Sequence, residues 1–177
     1  MIVKSRILKL SKPFTTENGD VIEEAAVAYE EYGQKGKPAV FITHGGLSSH
    51  HAAGRYDAED PLAGFWDDII GPGKAIDTHA YWVLSANSLG SMYGSASPLT
   101  VNPDTGKHYG PNFPEITLID MVRFHKAFLD QIGVSHLAMI AGPSMGSLQA
   151  LQMAALYPEY VDSVVAVASA GRMTPSG

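Results

Sequence analysis

Four stretches of this chain are apolar at nearly every position: Pro38 to Thr43 (PAVFIT), Tyr81 to Ala86 (YWVLSA), His136 to Ala141 (HLAMIA) and Val161 to Ala170 (VDSVVAVASA). A strand with one face in water alternates apolar and polar residues, whereas a near-continuous run fits a strand covered on both faces, as in a parallel sheet. Helical patterns fall between the later runs. Leu118, Met121, Val122, Phe128, Leu129 and Ile132 recur at spacings of three and four, the period of an amphipathic helix. Thr117 with Asp120 caps its start, Pro114 bars an earlier one, and Gly133 closes it. A second helix is expected from about Met145 to Tyr157, stopped by Pro158. Strands alternating with helices imply right-handed crossovers and an α/β layered fold.

The N-terminus reads differently. Ile7 to Leu10 and Val21 to Tyr32 alternate, and Glu17-Asn18-Gly19-Asp20 lies between them. Asn-Gly tolerates positive φ at both turn positions, so an antiparallel hairpin is expected there. Residues 88–116, rich in Gly, Pro, Ser and Asn, read as one long irregular loop, a kind of segment that is often functional.

The sharpest chemical signal is Gly142-Pro143-Ser144-Met145-Gly146, a G-x-S-x-G directly after an apolar run and directly before a helix. A strand-to-helix turn this tight needs flanking glycines, and it pushes the serine at its apex into the open. The serine also sits at a helix N-terminus, where free N–H groups favour developing negative charge. The plainer alternative is a Gly-rich turn with an N-capping serine. Acyl transfer further needs two donors for the oxyanion. One is the backbone N–H of Met145, next to the nucleophile; His44-Gly45-Gly46-Leu47, after the Pro38 to Thr43 run, is placed to give the second.

Other candidates are weaker. Of the seven histidines, His44, His50 and His51 cluster in sequence, but adjacent loop histidines lack metal-site spacing and no carboxylate partner is evident, so no metal is expected. His125 lies on the apolar stripe of its helix and reads as a hydrogen-bonded core histidine. Tyr81 and Trp82 read as packed strand residues, and Asp67-Asp68 as a solvated helix face.

Composition excludes several classes. With 177 residues, 45% hydrophobic and 17% charged, the chain reads as one globular α/β domain, not a disordered one. A net charge of -6 gives no basic footprint for nucleic acid. Zero cysteines exclude disulfides and a thiolate nucleophile. No apolar window approaches the ~20 residues of a membrane span, and no secretory signal is visible. A cytoplasmic setting is the expectation.

Six segments together resemble the homoserine O-acetyltransferase family of α/β-hydrolase-fold enzymes: His44 to Gly54 (HGGLSSHHAAG), Phe65 to Asp77 (FWDDIIGPGKAID), Asn87 to Pro98 (NSLGSMYGSASP), Asn102 to Tyr109 (NPDTGKHY), Phe113 to Arg123 (FPEITLIDMVR) and Gly142 to Pro158. They run in the family's order from about residue 20 onward. The resemblance implies a mostly parallel sheet with an N-terminal antiparallel hairpin, here without the family's lid and last strands. It implies ping-pong transfer from acetyl-CoA, a co-substrate and not a cofactor, to the hydroxyl of homoserine. By position Ser144 matches the nucleophile, with Met145 and Gly46 giving the oxyanion amides. Ser147 stands where the family usually has a second glycine, Pro143 where Gly is common, and Tyr93 where a basic residue is frequent. A serine esterase of the same fold is therefore a second reading, and a non-catalytic chain needing a partner is a third.

In this fold the triad's acid and histidine follow the nucleophile. After Ser144 the only acids are Glu159 and Asp162, and no histidine follows His136. The Val161 to Ala170 strand, apolar on both faces, would also form an open sheet edge, which native chains normally cover. A complementary C-terminal polypeptide, from cleavage or a split gene, or else self-association through that strand, is the expectation.

Overall fold

The structure, a computed structural model, describes residues 1–171. Six strands form its central sheet: β1 (Arg6–Lys9), β2 (Ala26–Tyr32), β3 (Ala39–Ile42), β4 (Trp82–Ala86), β5 (Leu137–Pro143) and β6 (Val164–Val167). They lie in the order β1-β2-β4-β3-β5-β6. β1 and β4 pair antiparallel with β2, while β4, β3, β5 and β6 run parallel. Helix α1 (Leu118–Gln131) carries the chain from β4 to β5, and α2 (Met145–Leu156) carries it from β5 to β6.

The first three apolar runs each feed two cores, and the fourth feeds one. Phe41, Leu84, Leu137 and Ile140 face α1 and α2, packing on Val122, Phe124, Phe128, Leu129, Ala150 and Met153. Their alternate neighbours Val40, Ile42, Val83 and Ala141 face the other way, against Val3, Ala52, Ala53, Ile70 and Ile76. Burial of side chains this size contributes about 1.5–3 kcal/mol each, so the two-faced pattern secures the parallel sheet. α1 begins where the spacing places it. Thr117 and Asp120 form a reciprocal capping box, and Gly133 follows with φ 89°.

Three boundaries differ from expectation. The Asn18-Gly19 turn joins a two-residue ribbon, Phe14–Thr15 with Val21–Ile22, and the longer β1–β2 pairing lies beyond it, because the 21–32 segment breaks at Glu23 to Ala25. The 88–116 loop is largely irregular but holds a ribbon, Val101–Asn102 with Lys107–His108, and a 3-10 turn at Gly110–Asn112. β6 is shorter than the run from Val161 to Ala170. Pro158–Tyr160 form a 3-10 turn before it, and Ala168, with φ 52°, turns the chain out of the ladder after it. Among the described residues β6 has β5 alone as neighbour. Its Val165 and Val167 are exposed on the face opposite α2.

Candidate active site

Ser144 stands between the last residue of β5 and the first of α2, with φ 51° and ψ −124°. This is a left-handed backbone value for a residue with a Cβ, and such strain, on the order of 1–3 kcal/mol, persists only where the surroundings enforce it. Three contacts do so. The Ser144 N–H donates to the Val167 carbonyl of β6 at 2.9 Å. The Thr43 hydroxyl at the end of β3 donates to the Gly146 carbonyl at 2.8 Å. A Cβ at Gly142 would lie 2.2 Å from Thr43 Oγ1, and one at Gly146 would lie 2.5 Å from the Thr43 carbonyl oxygen. The two motif glycines therefore let β3 close on the elbow.

The serine side chain is exposed and does not cap its helix, which disposes of the capping alternative. Its hydroxyl bonds no described residue. The same holds for the backbone N–H groups of Gly46 and Met145. Gly45 lies against the elbow: a Cβ there would be 3.6 Å from Ser144 Cβ and from the Pro143 carbonyl oxygen. Gly45, Gly46, Leu47, Ser48, Phe65, Trp66, Pro143 and Ser144 line an open cleft of about 490 Å³. An exposed hydroxyl, the unbonded Gly46 amide and apolar walls meet in this cleft, with the unbonded Met145 amide next to Ser144 in the chain; the arrangement can receive a small acyl group.

A network lies beneath this floor. His44 is fully buried; its Nδ1 is 2.8 Å from the Gly45 carbonyl, and its Nε2 accepts from the Ser88 N–H at 3.0 Å. Burial is the main force lowering its pKa. Both nitrogens are occupied, so His44 is not available as the base for Ser144. Gln149 of α2 bonds the Ser88 hydroxyl at 3.1 Å. Ser147, far from disturbing the helix, bonds the Ser144 carbonyl.

His50 and His51 turn to different partners. His50 Nε2 is 2.6 Å from the Ser5 hydroxyl, and burial, reinforced by His44 and His51, pushes its pKa down to about 4. His51 Nδ1 lies 3.1 Å from the buried Glu30 carboxylate, which also accepts from Tyr32 Oη. Tyr32 Oη in turn accepts from the Ala52 and Ala53 N–H groups at 3.1 Å each. Burial and the adjacent Glu30 push the Tyr32 pKa far up, so it stays a phenol. Sequence reasoning missed this cluster and the His44 contacts; only the alternating pattern of β2, with a carboxylate at an inward position, hints at it.

Two expectations need correction. His125 is a core histidine packed edge-on to Phe41, but neither of its ring nitrogens forms a hydrogen bond, and burial pushes its pKa down to about 3. Asp67 is no solvated helix face. It lies in a turn, accepts from the Gly54 N–H at 2.7 Å and pairs with Lys74. Tyr81 and Trp82 pack as strand-end residues, Trp82 Nε1 donating to Glu31.

Among the described residues no histidine or carboxylate reaches Ser144. Asp162 does bond a histidine, His136 Nε2 at 2.8 Å, but this pair sits at the far end of β5, roughly 25 Å away at about 3.3 Å per residue.

Residues 38–176 match the alpha/beta hydrolase fold family. The homoserine O-acetyltransferase of Deferribacter desulfuricans is 42% identical over 177 residues, covering 98% of this chain and 47% of that protein. The homoserine O-succinyltransferase of Neisseria gonorrhoeae is 39% identical, with 98% and 46% covered. Among solved structures, esterase E22 is 41% identical with a TM-score of 0.84, covering 92% of this chain and 47% of that one. The homoserine O-acetyltransferase from Bacillus anthracis is 35% identical with a TM-score of 0.85, at 93% and 46%. The chain spans about half the length of the curated relatives it matches. With its parallel sheet, serine elbow and matched sequence, the chain belongs to the alpha/beta hydrolase fold family, and it corresponds to the N-terminal part of homoserine O-acetyltransferases.

Proposed function

We propose that Ser144 is the nucleophile of an acyltransferase that moves an acetyl or other short acyl group from acyl-CoA to the hydroxyl of homoserine, a step of methionine biosynthesis. The observation that carries this reading is the strained, exposed Ser144 with an uncommitted hydroxyl, in a cleft lined by the uncommitted Gly46 amide and followed in the chain by the uncommitted Met145 amide. Ser144 Oγ attacks the thioester carbonyl and gives its proton to a base. Negative charge on the carbonyl oxygen is met by the Met145 and Gly46 N–H groups. The C–S bond breaks, the CoA thiol leaves, and homoserine oxygen attacks the acyl-serine to regenerate the free hydroxyl. Acetyl-CoA is spent as a co-substrate, and the scheme uses no metal or resident cofactor.

The base and its acid come, in this reading, from polypeptide outside the described residues. Two features support that. No described histidine reaches Ser144, and the β6 edge, with Val165 and Val167 exposed on one face of the sheet and Leu151 and Leu156 of α2 exposed on the other side, offers a surface for a complementary C-terminal segment or for a second copy. No described helix is long and apolar enough to cross a membrane, and the biosynthetic relatives favour a cytoplasmic setting.

Hydrolysis is the second reading, favoured by the 41% identity to esterase E22 and by the openness of the cleft to water. Incubation with acetyl-CoA, with and without homoserine, separates the two. Transfer predicts CoA release that depends on the amino acid and is abolished by Ser144→Ala. Release that ignores homoserine, with free acetate as product, overturns transfer in favour of the esterase.

A further inference from the structure

The direction of one peptide plane decides whether the Gly46 N–H can serve an oxyanion. The Gly45 carbonyl faces two groups, His44 Nδ1 at 2.8 Å and the Ser48 N–H at 3.1 Å. The other ring nitrogen, Nε2, faces the Ser88 N–H at 3.0 Å. A backbone N–H only donates and a carbonyl only accepts, so the two partners fix the ring: Nε2 is bare and Nδ1 carries the proton. In a planar trans peptide the carbonyl of Gly45 and the N–H of Gly46 point in opposite directions. A carbonyl held toward the ring therefore holds the Gly46 N–H away from it, on the exposed part of the loop, where it bonds no described residue.

We propose that His44, as the neutral Nδ1–H tautomer, is the positioning residue that orients the Gly45–Gly46 peptide for the acyl oxygen at Ser144. This rests on the acyl-enzyme reading above. The ring also ties three elements together. Through Ser88 it holds the turn after β4, and the Ser88 hydroxyl passes the tie to Gln149 of α2, the helix that begins at the nucleophile. The groups acting on the ring are His50 from the loop after β3, His125 from α1 and the Asn87 side chain after β4. None is an anion, and burial lowers the pKa of the ring. An imidazolium would set its Nε2–H against the Ser88 N–H and break the tie.

The test uses the whole chain with ¹⁵N-labelled histidine. His44 is expected to show a single protonated nitrogen, Nδ1, from pH 8 down to pH 5. A proton on Nε2, or titration to imidazolium near the ordinary histidine value, overturns the proposal, and this readout does not require Ser144 to react. A second arm measures, on the protein with whatever chain co-purifies, the rate at which a fluorophosphonate labels Ser144 in the parent, His44→Ala and His44→Gln, each shown to be folded. His44→Ala is expected to slow labelling roughly 100-fold, the scale of losing one oxyanion donor. His44→Gln, whose amide offers one acceptor and one donor, is expected to recover most of the rate. Parental labelling in His44→Ala overturns the positioning role. A parent whose Ser144 does not label overturns the acyl-enzyme reading instead, while the ring shifts still decide the tautomer.

Discussion

At Gly146 an added methyl would lie 2.5 Å from the Thr43 carbonyl oxygen and 2.9 Å from that of His44, both backbone atoms that cannot swing aside. Gly146→Ala is expected to cost about 3 kcal/mol, at the upper end for overpacking, as a lowered urea midpoint. Tyr32 carries a comparable burden by other means. Its phenol oxygen accepts from two buried amides, those of Ala52 and Ala53, in the loop that follows Gly45 and Gly46. Tyr32→Phe leaves both without an acceptor, at about 1–3 kcal/mol for each unsatisfied group. We expect a loss of roughly 2–6 kcal/mol in denaturant unfolding, with faster hydrogen exchange at Ala52 and Ala53. The two residues differ in how well the sequence shows them. Gly146 is legible because its neighbours in the chain define the motif. Tyr32, Glu30 and His51 are not, because their contacts join residues about 20 apart through a loop with no period to read.

At the scale of elements, α1 was readable to the residue, since a capping box and a terminal glycine act within one turn of chain. Its energetics follow: Thr117→Ala removes the cap on the Asp120 N–H and a contact with Glu17, and a loss of about 1 kcal/mol is expected in thermal or chemical unfolding. β6 was only half readable. Its apolar content signalled a strand, but Asp162, the 3-10 turn before it and the positive φ of Ala168 shorten it to Val164–Val167. The N-terminal segment shows the same limit. Asn18-Gly19 announces a turn, yet turn chemistry cannot say that β1 and β2 pair beyond the ribbon it closes. If the β6 edge receives another strand, Val165→Lys with Val167→Lys is expected to leave the fold's far-UV spectrum unchanged and to abolish association seen by light scattering or co-purification. Unchanged association would place the contact elsewhere.

For the whole molecule, buried neutral histidines tie stability to pH. His50 and His125 are pushed down to about 4 and about 3, while the unfolded chain binds protons near 6.5. Acid therefore favours unfolding: stability is complete above pH 6.5 and falls as pH is lowered toward 4, by up to about 1.4 kcal/mol per pH unit for each histidine. The melting temperature should drop between pH 7 and pH 5, and His125→Leu should reduce that drop. The fold as a whole was legible because two-faced apolar runs admit few sheets other than a parallel one. The strand-to-helix turn at Ser144 was legible from its motif, whereas the His44 contacts were not, since one of the ring's partners, Ser88, lies on a loop 44 residues away. The central claim is that Ser144 is a nucleophile built to carry an acyl group. Peptide mass mapping after fluorophosphonate treatment, on the protein with whatever chain co-purifies, tests it most directly. The account predicts one modification, on the peptide containing Ser144, absent in Ser144→Ala; a folded protein left unmodified at Ser144, or modified at another serine, would contradict it.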